Sequence, residues 1–307
     1  MWSPSRLRRY CTHSDIHYLH YGLALHDSLK RHSAPFVLYY LCGDEETYNK
    51  LVSLSIEEIV PVSLEKLKET RPDLQRAMSL PPSYEALNVA HRTGRNAVQI
   101  QSYWMLTPYF TWHLVNSEGL EDILYIDADI YFFNSLDKVY AEIGAKSIGI
   151  VRHRIPYNGA VGEFNVGIVF FRNDLKGNQC LDWWRGCLLN PDNEFYSTHG
   201  MCGDQKYLEL FPVLFGEDNV CIIDKDVGHI APWNLAYHRY EEDSLVWEGK
   251  KQELIYSHFS NFVPDYKDNT YKIAPRHGIS SKTTGVDLVD DAYGEYFDVS
   301  KKMKEMV

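Results

Sequence analysis

Apolar runs alternate with helix-length stretches from the start of the chain, and that alternation leaves few architectures open. RYCTHSD (9–15), PFVLYYLCGD (35–44) and IEEIVPV (56–62) read as short strands, and residues 16–31 and 45–54 between them read as helices. Leu19, Leu23, Leu25 and Leu29 are among the apolar positions of the first helix. Strand–helix–strand–helix–strand is the pattern of a parallel sheet with crossover helices. SIGIVRH (147–153) and FNVGIVFFRND (164–174) add strands, the second with Gly167 inside. Glycine within a strand marks a close approach of backbone or ligand. The fold class expected is α/β, one domain with a mostly parallel central sheet flanked by helices.

Residues 63–95 are charged and interrupted by Pro72, Pro81 and Pro82, which reads as a helix plus an irregular connection. A helix fits 96–114, with Pro108 bending or ending it. CLDWWRGCL (180–188) and GDQKYLELFP (203–212) read as helices, ELIYSHFSNF (253–262) as a late strand, and 292–306 as a last short helix. The domain is expected over 1–275, with an appendage at 276–307.

The 307 residues are 45% hydrophobic and 24% charged, which is ordinary globular composition. A net charge of −11 excludes nucleic acid as a partner, because phosphate backbones need Lys and Arg. RLRR (6–9) and KKMKEM (301–306) are the basic exceptions, candidates for peripheral contact with an anionic membrane surface. The cysteines, at 11, 42, 180, 187, 202 and 221, form no CxxC and no zinc-like spacing, and sit in apolar surroundings. They read as buried free thiols of a cytoplasmic protein. No apolar run approaches the roughly 18 residues of a membrane span.

ILYIDADIYFF (123–133) carries two carboxylates, Asp127 and Asp129, in an otherwise buried strand. Alternation puts them on one side of an extended chain, about 7 Å apart. Ionised together they repel, and a divalent cation removes the repulsion. A hard ion such as Mg²⁺ or Mn²⁺ prefers oxygen ligands and often takes phosphate oxygens. The spacing therefore reads as a metal–phosphate site at a strand end, or as a solvated Asp turn.

Several further motifs follow in order. With YIDADI stand FNVG (164–167), GDQ (203–205), HFSN (258–261) and the opening RYCTHSD. In these the chain resembles the GT-A nucleotide-sugar glycosyltransferases, most closely the family 8-like group that includes bacterial surface-polysaccharide transferases. The match spans roughly residues 8–265. YIDADI is similar to the family's DxD motif, FNVG to its FNSG motif and GDQ to its DQ pair. HFSN sits where the family places a metal-binding His.

The resemblance implies Mn²⁺ or Mg²⁺ held by Asp127, Asp129 and His258, with Asp127 also reaching the ribose. It implies a nucleotide-sugar donor, by default a UDP-sugar, and a saccharide or glycolipid acceptor. Thr12 and Asp15 would sit at the nucleotide end, Asp15 accepting from a uracil N3–H or capping the following helix. Asn165 and Gly167 would line the donor sugar. Asp204 and Gln205 would stand near the sugar hydroxyls and anomeric carbon, Asp204 otherwise being a helix N-cap. Trp233 and Asn234 would shape the acceptor side, while Trp183 and Trp184 are assigned to packing. Where the family carries Gly and then Lys after the metal His, this chain has Ser260, Asn261 and Phe262, with Lys267 later. Arg92, Arg95 and Arg276 are the candidate replacements for that cation.

The activity implied is hexosyl transfer with Asp204 and Gln205 as the catalytic candidates, and with retention at the anomeric carbon; an inverting enzyme would instead need a carboxylate base, for which Asp204 is the candidate. A nucleotidyltransferase is the rival enzyme, but THSDIHYLHYG lacks the Gly-rich, Lys/Arg-bearing loop those enzymes carry after the first strand. A sugar- or nucleotide-binding module without turnover is the rival outside catalysis.

Overall fold

The apolar runs at the front of the chain become parallel neighbours. In a computed structural model that describes residues 6–189 and 203–307, and the side chains among them except those of 84, 85, 92 and 93, β1 (Arg8–Ser14) pairs with β2 (Phe36–Cys42) from Arg8↔Phe36 to Ser14↔Cys42. β3 (Ile59–Ser63) follows on β2. The crossovers are α1 (Leu19–His32) and α2 (Glu45–Leu54). Asp44 starts α2 by accepting from the Thr47 N–H, and Ser55 ends it in the left-handed region.

The prolines of 63–95 punctuate a series of short helices rather than an irregular connection. α3 (Leu64–Thr70) is capped by Ser63, α4 (Pro72–Met78) has Pro72 in its first turn, and α5 (Tyr84–Thr93) is capped by Ser83. α6 (Ala97–Trp112), capped by Asn96, runs through Pro108 and passes into a π-turn at His113–Ser117. The helix does not end at Pro108, because Met105 through Thr111 are all buried. Tertiary packing of that face outweighs the lost backbone hydrogen bond.

The run with the two aspartates is two strands, not one. β4 (Asp122–Ile126) belongs to the large sheet and β5 (Ile130–Phe132) to a second sheet. After α7 (Asp137–Ile143) come β6 (Ile148–Arg152), β7 (Phe164–Arg172) and α8 (Leu175–Leu189). Residues 203–212 do not form an α-helix: a 3₁₀ turn at Lys206–Leu210 leads into a helical turn at Phe211–Phe215. With β8 (Val220–Ile223) the large sheet has the order β3-β2-β1-β4-β7-β6-β8. Only β7 runs antiparallel to its neighbours.

Strand alternation divides the core between the sheet's faces. Tyr10, Leu38, Leu124 and Phe170 pack toward α1 and α7, while Cys11, Leu41, Ile123 and Phe171 pack toward α6 and α8. The second sheet is built from β9 (Gly228–Ile230), β10 (Arg239–Glu241), β11 (Ser244–Trp247) and β12 (Lys250–His258), with β5 on the far edge of β12. A hairpin of β13 (Val263–Asp265) and β14 (Thr270–Lys272) follows.

The last helix spans Asp287–Met306, starting earlier than its sequence pattern indicated, and buries Tyr293, Tyr296 and Phe297 in the same core as α1. The described cysteines are buried; Cys202 lies outside the described residues. The arginines of RLRR form ion pairs within the protein, Arg6 and Arg9 with Glu121 and Asp122, and Arg8 with Asp137. Among the described residues no helix is long and apolar enough to cross a membrane.

Candidate functional site

The aspartates occupy a tight turn between sheets, and strand register brings the histidine to them. At the end of β4 the Asp127 N–H donates to the Gly167 carbonyl at 2.9 Å, and the Ile130 N–H closes the turn on the Asp127 carbonyl at 3.1 Å. β5 then pairs with β12 so that Ile130 lies opposite His258, and the Phe259 N–H donates to the Asp129 carbonyl at 2.9 Å. His258 Nε2 consequently lies 3.1 Å from Asp129 Oδ1 and 3.6 Å from Asp127 Oδ2. One ligand atom from each of these residues falls within 4.8 Å of the others. The turn, not an extended strand, is what converges the carboxylates.

A second ring of contacts orients the ligands. His258 Nδ1 lies 3.3 Å from Asn165 Oδ1, an acceptor, so Nδ1 carries the hydrogen and Nε2 faces the carboxylates. Asn165 Oδ1 also accepts from the Gly167 N–H at 2.9 Å, and Asn165 Nδ2 donates to Gln205 Oε1 at 2.9 Å. Gly167 is glycine because the ring approaches it: a Cβ there would lie 2.7 Å from His258 Nδ1. The Trp233 indole meets the His258 ring edge-to-face at 5.1 Å. Its Nε1–H and Asn234 Nδ2 both donate to the His153 carbonyl.

Asp127 is fixed from the other side. The Tyr125 hydroxyl donates to Asp127 Oδ1 at 2.6 Å. Because that hydrogen goes to the carboxylate, His13 Nε2, at 3.1 Å from the same hydroxyl, must be the donor to it. Burial, opposed only in part by Asp15, lowers the His13 pKa to about 4, so the ring is neutral at pH 7. Burial also raises the Asp127 carboxyl above its usual range, with His258 opposing and Asp129 adding to the rise. For His258 burial disfavours the charged ring, yet Asp129 and then Asp127 outweigh it and raise its pKa. Two carboxylates and an imidazole nitrogen converging where negative charge is held this poorly fit a divalent cation of oxygen–nitrogen preference.

Asp127, Asp129 and His258 line a cavity of about 910 Å³. Asp15 lines the same cavity, its Oδ1 accepting from the His17 and Tyr18 N–H groups and its Oδ2 from Gln99 Nε2 and the Tyr103 hydroxyl. Asn165, Asp204, Gln205 and Trp233 also line it. Asp204 is buried, and the 3₁₀ turn that follows it takes no side-chain cap; the Asp204 carbonyl accepts from Trp184 Nε1–H at 2.9 Å. Gly167 stands behind the wall, against His258. Thr12 is not brought to the cavity: its side chain lies on the other face of β1, fully buried, with no hydrogen-bond partner for its hydroxyl among the described residues.

Of the candidate cations, Arg95 and Arg276 line the cavity and Lys267 does not; the Arg92 side chain is outside the described residues. Burial raises the pKa of the Tyr18 phenol, Asp129 and Asp15 add to it, and Arg95 and Arg276 oppose it, so all four charges act on one ring that lines the cavity. Tyr125, His13, Gln99 and Tyr103 escaped the motif reading. Tyr125 is two residues before Asp127 on a strand, and Gln99 and Tyr103 are four apart on a helix, so periodicity alone puts each pair on one face.

Mouse xyloside xylosyltransferase 1, in its apo form, superposes with a TM-score of 0.55 over 83% of this chain and 98% of its own, at 13% identity. The galactosyltransferase LgtC, in complex with donor and acceptor sugar analogues, superposes with a TM-score of 0.53 over 96% of this chain and 95% of its own, also at 13% identity. The fold is the GT-A glycosyltransferase fold. Identity this low carries the architecture alone. In sequence, the uncharacterized protein YfnF of Bacillus subtilis (strain 168) is 28% identical, covering 82% of this chain and 81% of its own length. YfnD of the same organism is 26% identical, covering 77% and 72%. No family model matches the chain. GT-A architecture puts the C-terminal end of β4, with its aspartates, beside β1, where the strand order turns and α/β sheets bind ligands.

Proposed function

We propose that the protein is a metal-dependent hexosyltransferase that moves a sugar from a nucleotide sugar, by default a UDP-sugar, to a hydroxyl of a saccharide or lipid-linked acceptor in surface-polysaccharide synthesis. The observation that carries this reading is the convergence of Asp127, Asp129 and His258 on the wall of a cavity large enough for a nucleotide sugar. Bound there, a divalent cation supplies positive charge to the departing diphosphate.

The protein's own residues do the rest. Asp127 and Asp129 offer oxygens from a turn locked by backbone hydrogen bonds, and Asn165 keeps His258 Nε2 aimed at them. Arg276 and Arg95, which both line the cavity, take the place of the family's lysine toward the diphosphate. Asn165 and Gln205, tied to each other, face the donor sugar, and Gly167 leaves room for the ring that sets their geometry. Asp204 lies beside them, near the sugar hydroxyls. The bond from the anomeric carbon to the phosphate oxygen breaks and a bond to the acceptor oxygen forms. With retention the departing phosphate takes the acceptor's proton, so no dedicated base is required.

Calorimetric titration of UDP, GDP and CDP, with Mn²⁺ and then with EDTA, tests the reading. Binding that requires Mn²⁺ and is lost in Asp129→Ala supports it. Nucleotide affinity that is indifferent to EDTA and to Asp129→Ala would sink it.

A further inference from the structure

Two tryptophans from different helices hold the Gly203–Asp204–Gln205 turn. A Cβ added at Gly203 would lie 2.6 Å from Trp104 Cε2, 2.7 Å from its Nε1 and 2.8 Å from its Cδ2. Consecutive ring atoms at nearly one distance put that carbon over the indole face, so the Gly203 backbone rests against the ring. Gly203 has φ +58°, which a residue with a side chain adopts at a cost of about 1–2 kcal/mol. The indole is what leaves no room for one. Trp104 stands on α6; on α8 the buried Trp184 donates its Nε1–H to the Asp204 carbonyl at 2.9 Å.

From the turn a run of amides reaches the metal ligands. The Gly167 N–H can only donate, so the atom it meets at 2.9 Å is Asn165 Oδ1, and Asn165 turns Nδ2 toward Gln205. That nitrogen donates to Gln205 Oε1 at 2.9 Å, and Gln205 Nε2 then meets the Val161 carbonyl, an acceptor, at 3.0 Å. The amide orientations come out the same from either end. Asn165 Oδ1 is also the atom that takes the His258 Nδ1–H, at 3.3 Å. Gln205 therefore braces the side chain that aims His258 Nε2 at Asp127 and Asp129. With Gln205 gone, Asn165 Nδ2 loses its acceptor and the amide is less firmly held beside the imidazole.

We propose that Trp104, acting through Gly203, and Gln205, acting through Asn165, are positioning residues of the metal centre. The contacts run from α6 to the turn, from the turn to β7 and from β7 to His258 on β12. An indole on a helix that supplies no metal ligand thereby sets cation affinity. This inference rests on the metal in the reading above and deepens it.

The test is calorimetric titration of Mn²⁺, without nucleotide, into the full chain, with a melting curve for each variant. The variants are Gln205→Leu, Gly203→Ala, Trp104→Ala and the last two combined. A chain that is less stable yet folded at the titration temperature keeps its Mn²⁺ affinity, so a merely structural role moves the melting curve alone. Gln205→Leu and Gly203→Ala should each lower Mn²⁺ affinity about tenfold or more, the range for loss of an outer-shell partner. Trp104→Ala should lower it too. On the Trp104→Ala background Gly203→Ala should cost little further, because the added methyl then has room; the backbone strain is common to both backgrounds and cancels. If Gln205→Leu fails to fold, the Gly203 and Trp104 variants carry the test. Wild-type affinity in the folded variants, or losses from Gly203→Ala and Trp104→Ala that simply multiply in the double variant, overturns this inference and leaves the nucleotide-sugar reading standing. A wild-type chain that binds no Mn²⁺ sinks both.

Discussion

At Gly167 one added carbon should dislodge the imidazole. An alanine Cβ would lie 2.6 Å from Asn165 Oδ1, 2.7 Å from His258 Nδ1 and 2.9 Å from its Cε1. The ring is buried and has little room to yield. Gly167→Ala should lower Mn²⁺ affinity by about tenfold or more, as loss of an outer-shell partner does. Direct Mn²⁺ titration reads this, with a melting curve to show that the chain still folds. Protons should compete at the same place. In the metal-free protein His258 and Asp127 hold protons at higher pH than in the unfolded chain. The native state therefore binds more protons, and its stability without metal should fall as pH rises above the unfolded histidine value of 6.5. Mn²⁺ affinity should move the opposite way, weakening as pH falls. Melting temperatures from pH 6 to 9, in EDTA and in Mn²⁺, check both signs; parallel trends would remove His258 from the ligands.

At the scale of elements, α6 is the wall that carries Gln99, Tyr103 and Thr107 against Asp15, His13 and Tyr125. Asn96 caps it by accepting from the Val98 and Gln99 N–H groups. Asn96→Ala should cost about 1 kcal/mol of stability. Because the frayed turn includes Gln99, it should weaken nucleotide binding while leaving Mn²⁺ affinity alone; differential scanning calorimetry and titration separate the effects. The helix was legible from its apolar pattern, and its passage through Pro108 was not, because burial of the surrounding turns decided that. Helices α3 to α5 were hidden for the opposite reason. Their boundaries are set by Ser63, Pro72 and Ser83 acting as caps within a charged segment that shows little periodicity.

Across the whole molecule, the last helix joins the front of the chain to the site. Tyr296 stacks on Phe259 at 3.7 Å, the residue after His258, and Glu295 accepts from the Tyr131 hydroxyl at 3.0 Å and from Arg31 at 2.9 Å. We propose that residues 276–307 fold with the rest rather than as an independent appendage. Removing Asp287–Met306 should expose Phe259 and Tyr131, lower the melting temperature by more than any single substitution named above, and abolish Mn²⁺ binding. An intact melting temperature and unchanged Mn²⁺ affinity in the truncated chain would overturn that.

The order of strands and helices, the mostly parallel sheet and the carboxylates at the end of a buried strand were determined by the sequence alone. Each rests on local periodicity or on residues a few positions apart. The tertiary structure decided what those residues face. It split the aspartate run between two sheets, and a register between Ile130 and His258 delivered the imidazole. It filled the Asp15 acceptors from α1 and α6 and left Gln99 facing the cavity. It also kept Thr12 away, because alternation along β1 gives the cavity His13 instead. Most of these contacts join residues tens to more than a hundred positions apart, and of thirteen histidines His258 was named in advance only through the resemblance of HFSN to a family motif.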